Sequence, residues 1–378
     1  MRPDGEEPCH IVIEAIVGWS GGCYAPDGAG RMDRDQTEKD DEASAHERPT
    51  LKTLAFMTGL GVTTVSRALK DAPEIGAETR RRVQLVARQI GYRPNRAGVR
   101  LRTGKTNVIS LVLNTEREIM SFVSDIIYGV SEVIADTPYH LIVTPYSRSQ
   151  DPLDPVKYLV ESGSADGVII SRTQPNDPRA RYMLERGIPF ATHGRTDMGL
   201  VHPYHDFDNY AFAAEAVRHL ASVGRRRLAL VAPPVGLTYY DHTVNGFADA
   251  LSEVDASEVP FNVVSIDQSI DQIRTRTAQL MRRDVRPDGF VSSAAAATLA
   301  IVAGIEDAGL KLGRDVDVVS KQSSELLHLF RRELLIVNED FRLAGTELAR
   351  AVLGWIGGAA PGSLQTVVKP GDVVAYQG

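Results

Sequence analysis

Short β-branched segments alternate with helical segments along most of this chain, and that alternation restricts its fold more than any other feature. From residue 106 onward the strand-like runs are bounded by breakers and read NVISLVL (107–113), YHLIVTPY (139–146), DGVIIS (166–171), IPFATHG (188–194) and RRLALVAPP (226–234). Helical stretches such as AFAAEAVRHLASVG (211–224) and AAAATLAIVAGIEDAGL (294–310) separate or follow them. This order predicts parallel sheets covered by helices, which is an α/β architecture.

The motifs that usually carry catalysis in such folds do not occur in the sequence. The first strand leads into NTEREIMSF rather than into a glycine-rich phosphate loop, and there is no HExxH, no cysteine pair in the body and no Gly-x-Ser-x-Gly. His193, His202, His205 and His242 are scattered, so pocket or surface positions suit them better than metal ligation. We therefore predict no enzyme activity, no catalytic or metal site and no cofactor.

The first 48 residues lack the pattern of a folded domain. HIVIEAIVGW (10–19) is apolar, but Glu14 interrupts it and DGEE precedes it, where an export signal would carry positive charge. Residues 33–48 are polar almost throughout, which predicts disorder. We expect residues 1–48 to be a disordered tail or an over-long start, with translation beginning near Met32.

Length and cysteine usage place the rest of the chain among ordinary globular proteins. Its 378 residues suffice for two or three domains with their own cores. No apolar run approaches the ~20 residues that cross a bilayer. Cys9 and Cys23 both lie near the N-terminus, so the body has no disulfide framework. These features predict a cytoplasmic protein that does not contact the membrane.

Positive charge is concentrated in one short segment. Residues 51–105 hold twelve Lys or Arg and three acidic residues, a net charge of +9. The whole chain carries −7, so the remainder carries −16. A basic face on a helix is often merely solvated, but this concentration on an otherwise acidic chain is typical of a protein that binds a polyanion.

The sequence of the basic segment also predicts three helices. Thr50 can cap a first helix, TGLG (58–61) interrupts it, and GVTTVSRAL (61–69) reads as a second. A third helix is predicted to end at Gly91 and Pro94. The predicted inward residues are Leu51, Leu54 and Ala55, then Val65, Ala68 and Leu69, then Val83, Val86, Ala87 and Ile90. Two short helices joined by a tight glycine turn, with a third packed behind, form a helix-turn-helix.

The outward face of the second helix suits DNA. It presents the side chains Thr63, Thr64, Ser66 and Arg67. In a helix-turn-helix the second helix enters the major groove. Hydroxyls and methyl groups read base edges and the thymine methyl there, and an arginine suits guanine O6 and N7.

The segments TLKTLAFMTGLGVTTVSRAL (50–69) and RRVQLVARQIGYRPNRAGVRLRTGKT (81–106) resemble the headpiece of the LacI/GalR family of bacterial repressors. The resemblance implies that Val62, Thr63 and Arg67 occupy base-reading positions. Residues 95–101 match the hinge helix, and Leu101 matches the leucine that enters the minor groove. Gly98 stands where the family usually has Ala, which weakens a short helix by up to about 1 kcal/mol. The predicted DNA-binding residues are Thr50, Val62, Thr63, Thr64, Ser66, Arg67, Asn95, Arg96 and Leu101.

The same resemblance implies the architecture of the whole chain. It predicts an N-terminal all-α helix-turn-helix headpiece and an α/β two-lobed, periplasmic-binding-protein-like effector domain with a ligand cleft. We expect a tail over 1–48, the headpiece over 49–94, a hinge over 95–105 and an effector-binding and dimerisation domain over 106–378. The effector-binding residues implied are Phe122, Ser171, Arg172, His193, Arg195, His205, Asp206, Tyr239, Thr243, Ser293, Gln322 and Glu339.

The implied pocket departs from the family pattern at several positions. Thr243 replaces an arginine, SSAAAA (292–297) replaces an Asn-Asp pair, and SKQSS (320–324) replaces an acidic turn. Arginines, aromatic rings and amides remain, which suits a polyhydroxy ligand. For each single residue a structural role, such as an internal salt bridge, stays an alternative to ligand contact. The headpiece also resembles repressors of sugar-uptake operons, α-glucoside operons among them.

Two classes of function compete on these observations. The first is a repressor that binds double-stranded operator DNA as a homodimer and responds to a sugar effector. The second is a solute-binding or transport protein, or an enzyme, of the same two-lobed fold with an incidental basic N-terminus. The intact helix-turn-helix, the missing export signal and the missing catalytic motifs favour the first. No leucine heptad follows the last strand-like segment, which favours a dimer over a tetramer.

Overall fold

The computed structural model describes residues 49–93, 100, 104–114, 122–147, 149–261, 264–322 and 326–374. The chain divides into two compact units, with the boundary between Thr106 and Asn107. The predicted tail over 1–48 and most of the predicted hinge over 95–105 lie outside the described residues.

Residues 49–93 of the N-terminal unit form three helices, as the sequence predicted. They are α1 (Leu51–Thr58), α2 (Val62–Ala68) and α3 (Ala77–Gln89). Thr50 caps α1 by accepting a hydrogen bond from the Thr53 amide. Gly59 ends α1 with φ of 66°, a left-handed conformation that glycine adopts without steric cost.

One small core holds these three helices together. Its buried side chains are Leu54, Ala55, Val65, Ala68, Val83 and Ala87. The other predicted inward residues, Leu51, Leu69, Val86 and Ile90, are partly buried and pack against that core. The helical periodicity in the sequence therefore identified the buried faces correctly.

The first lobe of the C-terminal unit is a six-stranded parallel sheet in the order β11-β5-β4-β3-β1-β2. Its strands are β1 (Val108–Asn114), β2 (His140–Tyr146), β3 (Gly167–Ile170), β4 (Phe190–His193), β5 (Tyr204–Phe207) and β11 (Gln365–Val368). Its helices are α4 (Phe122–Ile134), α5 (Leu153–Glu161), α6 (Pro178–Glu185) and α12 (Phe341–Ile356). Helices α4 and α12 pack on β1 and β4 around a shared apolar core.

The second lobe is a five-stranded parallel sheet in the order β10-β9-β8-β6-β7. Its strands are β6 (Arg227–Val231), β7 (Ser257–Glu258), β8 (Gly289–Ser292), β9 (Asp317–Gln322) and β10 (Leu335–Asn338). Its helices are α7 (Asn209–Ser222), α8 (Thr238–Glu253), α9 (Ile270–Met281), α10 (Ala295–Asp307) and α11 (Leu326–Phe330). A short 3-10 helix (Pro361–Ser363) precedes β11 in the first lobe.

The chain crosses between the lobes at the same side of both sheets. It leaves β5 in the first sheet and enters α7, which packs on the second sheet. It returns from β10 to α12, and after β11 it reaches Val374, which pairs with Ile336 in β10. The crossings lie beside β5, β11 and β10, which are at one edge of each sheet.

Glycines bring neighbouring helices into backbone contact. A Cβ at Gly246 of α8 would collide with the Tyr210 carbonyl of α7, and Cβ atoms at Gly129 and Gly345 would collide with the backbone across the α4–α12 contact. Only glycine allows such close approach. This explains the glycine in the NGF motif (245–247).

Each strand-like run identified in the sequence forms a strand, with shifts of one to three residues at the ends. Strands such as β5 (YHDF) and β7 (SE) were not predicted, because each is too short to show a period and carries charged or polar side chains. None of the helices in the described residues combines the length and apolarity of a membrane span.

Candidate functional site

The outward face of α2 is exposed, as the sequence predicted. Val62 is 42% exposed, and Thr63 and Arg67 are also exposed, whereas Val65 and Ala68 are fully buried beneath them. Thr64 and Ser66 are partly buried at the edges of this face. Polar side chains therefore lie on the side of the helix that is open to a partner.

The charged side chain on this face is only loosely held. Arg67 Nη1 lies 3.7 Å from Glu74 Oε1, and both side chains are more than half exposed. An exposed ion pair of this kind contributes little to stability. Other headpiece arginines brace the fold instead, since Arg82 donates to the Thr58 carbonyl at 2.8 Å and Arg80 donates to the Asp71 carbonyl at 2.9 Å.

The remaining predicted DNA-binding residues divide into two groups. Thr50 is exposed, and its hydroxyl forms the helix cap described above. Asn95, Arg96 and Leu101 lie outside the described residues. The predicted contacts on α2 therefore lie on one exposed face, and the predicted hinge contacts stay predictions.

The twelve predicted effector-binding residues share one side of the two sheets. Each described strand points its carboxyl end toward this side, where parallel α/β proteins bind their ligands. Ser171 and Arg172 follow β3, His193 ends β4, and His205 and Asp206 lie in β5. From the second lobe, Tyr239 and Thr243 lie in α8, Ser293 follows β8, Gln322 ends β9 and Glu339 follows β10. Arg195 follows β4, and Phe122 begins α4.

A buried lysine organises the side of the cleft next to the crossings. Lys321 Nζ lies 2.6 Å from Glu339 Oε2 and donates to Asn209 Oδ1 at 2.7 Å. Its ammonium also lies 5.2 Å from the centre of the Phe207 ring and 5.7 Å from that of Tyr239, within cation–π range. Asn209 and Glu339 belong to two different crossings, so one cation holds both.

Aromatic rings surround the other side of the Glu339 carboxylate. His193 Nε2 lies 3.8 Å from Glu339 Oε1, and the His193 ring contacts the rings of Phe122 at 5.4 Å and Phe341 at 5.9 Å between centroids. The ring of His205 stacks on His193 at 6.4 Å. Burial lowers the pKa of each of these two histidines to about 4, so both are neutral at pH 7.

Asp206 is a buried carboxyl group whose contact with Arg195 is not a hydrogen bond. Its Oδ2 lies 3.1 Å from Arg195 Nε, yet this atom accepts no hydrogen bond among the described residues. Burial raises the pKa of Asp206 to about 7, and the Arg195 guanidinium offsets only part of that rise. The Arg195 side chain is about one-third exposed, so one edge of the pair faces solvent.

A bidentate ion pair joins the two lobes between the end of β3, away from the crossings, and the segment before α9. Arg172 donates to Asp267 from Nη2 at 2.6 Å and from Nη1 at 3.3 Å. Arg172 adopts φ of 55°, the left-handed region that favours glycine, so its backbone is strained. Beside it, the Thr238 amide of α8 donates to the Thr173 carbonyl at 2.9 Å.

Several buried polar atoms at these strand ends have no hydrogen-bond partner among the described residues. Five belong to predicted effector-binding residues, namely His205 Nδ1, Asp206 Oδ2, Ser293 Oγ, Gln322 Oε1 and Glu339 Oε2. Of these, Glu339 Oε2 and Asp206 Oδ2 each lie within ion-pair distance of a cation. The His242 Nδ1 atom in α8 is a sixth. Burying such an atom unpaired costs roughly 1–3 kcal/mol. Six of them on one side of the sheets indicate a surface completed by a ligand or by water.

Two predicted residues use their polar atoms within the fold. The Thr243 hydroxyl is fully buried and donates to the Tyr239 carbonyl at 2.6 Å. The Ser171 carbonyl accepts from Arg179 Nη2 at 3.1 Å, and Arg179 pairs with the buried carboxylate of Asp177. The sequence left structural roles open for these positions, and the geometry shows such contacts for both.

The sequence reading missed Lys321, Asn209 and Asp267. Lys321 lies in SKQSS (320–324), a segment that stands out in the sequence as the replacement of an acidic turn. The only signal was a lysine inside a β-branched strand run, DVDVVSKQ, which is an unusual position for a charged side chain. Asp267 lies 95 residues from Arg172, and no local pattern marks that pairing.

Comparison with protein families and curated sequences gives consistent matches. Residues 50–95 match the family of bacterial regulatory proteins, lacI family, and residues 217–375 match a periplasmic binding protein-like domain. The chain is 33% identical to the HTH-type transcriptional regulator AglR of Rhizobium meliloti over 81% of this chain and 87% of AglR. It is 30% identical to the HTH-type transcriptional regulator RafR of Escherichia coli over 85% of this chain and 96% of RafR.

Solved structures share the fold. The Lac repressor dimer bound to operator and the anti-inducer ONPF matches with a TM-score of 0.76 and 20% identity, over 87% of this chain and 98% of that one. A complex of the transcriptional regulator CelR with cellobiose matches with a TM-score of 0.64 and 24% identity, over 88% of this chain and all of that one.

Proposed function

Because this chain belongs to the LacI family of bacterial regulatory proteins, we propose that a sugar bound in its cleft controls its affinity for operator DNA and thereby represses transcription. The protein is a DNA-binding transcriptional regulator and not an enzyme. The proposal makes three further points: the regulator represses transcription, the effector binds in the cleft, and the protein acts in the cytoplasm.

The buried, unpartnered polar atoms at the strand ends carry this proposal. They include acceptors, such as Asp206 Oδ2 and Gln322 Oε1, and groups that donate or accept, such as Ser293 Oγ. A sugar supplies hydroxyl groups that do both. The rings of Phe122, His193 and Tyr239 offer apolar surface for the faces of a pyranose. The complex of CelR with cellobiose, a structure of the same fold, supports a disaccharide as the ligand.

For the DNA side, we propose that two copies of α2 read the two halves of a pseudo-palindromic operator. One helix-turn-helix reads a half-site, so an operator of two halves requires a dimer. The Lac repressor dimer on its operator, a structure of the same fold, supports this arrangement. Val62, Thr63, Thr64, Ser66 and Arg67 would face the base edges.

For the control step, we propose that the ligand acts on the relation between the two lobes. A ligand shifts an equilibrium only by its different affinity for two states, and a cleft crossed by hinge segments provides two such states. Closure of the cleft around a sugar would alter the geometry that residues 95–101 need on DNA. A coupling of about 1–3 kcal/mol is enough to release an operator.

The test is operator binding by purified protein in the presence of sugars. A preferred operator is first selected from random duplexes, and its affinity is then measured by fluorescence anisotropy with trehalose, maltose, sucrose, melibiose and cellobiose. We expect at least one of them to weaken operator binding by about tenfold or more. If the protein selects a specific operator and no sugar changes its affinity, sugar control is wrong while the DNA-binding assignment stands.

A further inference from the structure

The charges of the cleft are matched within the protein. Arg172 pairs with Asp267 at 2.6 Å, Arg195 lies 3.1 Å from Asp206, and Lys321 pairs with Glu339 at 2.6 Å. Each of these three cations faces one carboxyl group, and all six side chains are buried or partly buried. A fourth cation, Arg179, lies beside Ser171 and pairs with Asp177, while its Nη1 has no hydrogen-bond partner among the described residues.

The histidines do not disturb this balance at neutral pH. His193 and His205 lie on the cleft side of β4 and β5, and burial keeps both uncharged because it lowers their pKa values to about 4. His242 of α8 is also held toward its neutral form, since burial and the nearby Arg195 lower its pKa. A ligand that enters the cleft therefore meets neutral rings, two cations in close ion pairs (Arg172 and Lys321), and Arg195 beside Asp206, whose pKa near 7 leaves it only partly ionised at neutral pH.

The unpartnered atoms add a second, independent constraint. Gln322 Oε1 can only accept a hydrogen bond, and Asp206 Oδ2 accepts one in its ionised form. Both atoms therefore call for donors on the ligand. Hydroxyl groups are donors, whereas a phosphate ester at pH 7 is chiefly a set of three acceptor oxygens with a charge of about −1.5 to −2.

A phosphorylated ligand would face two penalties in this cleft. Its charge would need cations. At Arg172 and Lys321, binding of the phosphate would break a close ion pair and leave an uncompensated, largely buried carboxylate. Its acceptor oxygens would also lie among acceptor atoms. A neutral sugar breaks no ion pair and satisfies the same atoms.

We propose that the cleft selects neutral, unphosphorylated sugars and excludes sugar phosphates and other anions. This inference rests on the proposed function, and it specifies the chemical class of the effector. The ion pairs of Arg172 with Asp267 and of Lys321 with Glu339 act as a charge filter, meaning that an anion could bind either cation only by displacing its carboxylate. The acceptor atoms Asp206 Oδ2 and Gln322 Oε1 favour ligands that carry hydroxyl donors.

The first test compares matched neutral and phosphorylated probes on the full-length protein. Thermal stability and operator affinity are measured with trehalose, sucrose and glucose and with trehalose 6-phosphate, sucrose 6-phosphate and glucose 6-phosphate. We expect a neutral sugar to bind at least about 100-fold more tightly than its phosphate. A phosphate ester that binds as tightly as, or more tightly than, its neutral counterpart overturns the charge filter but leaves sugar control intact. If neither set acts, both the proposed function and this inference fail.

The second test does not depend on the identity of the sugar. The variant Asp267→Asn leaves the Arg172 guanidinium without its carboxylate, so the cleft gains one unmatched cation. Inorganic phosphate should stabilise this variant against heat and should not stabilise the wild type. The control Asp307→Asn removes the carboxylate from a bidentate pair with Arg274 on the outer helices α9 and α10. Because Arg274 is half exposed, this control should gain no phosphate response.

Each outcome of the second test decides the point. A phosphate response that appears in Asp267→Asn alone supports the charge filter. An equal response in the wild type, or in Asp307→Asn, shows that the filter does not exist or that the effect is nonspecific. Should Asp267→Asn fail to fold, Glu339→Gln provides the same comparison through Lys321.

Discussion

The headpiece and the cleft present their functional groups in opposite ways. On α2 the polar side chains point outward, and Arg67 has only a loose, exposed partner. In the cleft the charged groups are buried and face one another, as in the contact of Lys321 with Glu339, whereas neutral polar atoms such as Ser293 Oγ and Gln322 Oε1 have no partner among the described residues. A surface that reads a large polyanion can leave its charged side chains exposed to solvent. A cleft that encloses a small ligand buries its charges, so these need partners when the cleft is empty. Substitution of a charged side chain should therefore change function without stability in the headpiece, and should reduce stability where it breaks a buried ion pair of the cleft.

The largest effect is expected at Lys321. Replacing it by Met leaves the Glu339 carboxylate buried without its cation, and breaking a buried pair in this way costs about 3–5 kcal/mol of stability. Chemical denaturation of the purified variant measures the loss. The double variant Lys321→Met with Glu339→Gln should recover most of it. Arg331→Met is the control, because its pair with Glu306 is exposed and should cost less than about 1 kcal/mol. Equal losses of stability for Lys321→Met and Arg331→Met would show that the buried ion pair contributes no more than an exposed one.

Arg67→Ala should have the opposite profile. We expect operator affinity to fall by about 1–3 kcal/mol and sequence preference to relax, because an arginine that reads a guanine is lost. The midpoint of thermal unfolding should not change, since the side chain is exposed. Anisotropy titrations with the selected operator measure the affinity, and calorimetry measures the unfolding midpoint. Unchanged operator affinity would contradict the proposal that Arg67 on α2 contacts DNA. A large drop in stability would show that the Arg67 side chain also supports the fold.

Arg195→Ala tests whether a charged residue of the cleft can act on the ligand without being needed for folding. The guanidinium is about one-third exposed beside Asp206, so it can reach a ligand without leaving its partner. We expect the variant to bind operator normally and to lose about tenfold in its response to the active sugar, roughly 1.4 kcal/mol. Operator titrations with and without the sugar measure this response. Loss of folding together with DNA binding would instead identify Arg195 as a structural partner of Asp206.

The smallest effect is expected in the pH dependence of stability. The folded-state pKa values of His193 and His205 are about 4, below the value near 6.5 of an exposed histidine, so the unfolded chain binds more protons and stability falls as pH drops from 6.5 to 4. Asp206 acts in the opposite sense, because its pKa near 7 makes the folded state bind the extra proton between about pH 4 and 7.

Two strongly shifted histidines outweigh one carboxyl group, and the lowered pKa values of His202 and His242 act in the same direction as those of His193 and His205. The net slope should therefore be positive between about pH 4 and 6.5, on the order of 1 kcal/mol per pH unit. The charged groups that face His193, His205 and Asp206 are Arg195, Asp208, Lys321, Glu339, Asp340 and Glu347. Denaturation at several pH values measures the slope. The variant His205→Phe should reduce it or reverse its sign, and an unchanged slope would show that His205 titrates normally in the folded state.

The headpiece could be predicted from sequence almost completely, and the cleft only in outline. Helical periodicity identified Val65 and Val83 as buried because the relevant contacts are local. The cleft residues could be placed at strand ends because the strands themselves are recognisable from local sequence. The partners of these residues could not be predicted, since Lys321 and Asn209 are 112 residues apart and Arg172 and Asp267 are 95 apart. Such pairings depend on the order of strands in two sheets, which no short segment of sequence encodes.

The glycine contacts between helices limit how this protein can diversify. At Gly246, and at Gly129 with Gly345, two helix backbones touch, so any side chain there would push a whole layer outward. The spacing of the layers is therefore fixed, while the residues at the strand ends support no helix packing of this kind. A saturation library should tolerate almost no substitution at the three glycines and many at Ser293 or Gln322. New ligand preferences can thus arise by exchange of a few side chains on a scaffold whose thickness does not change.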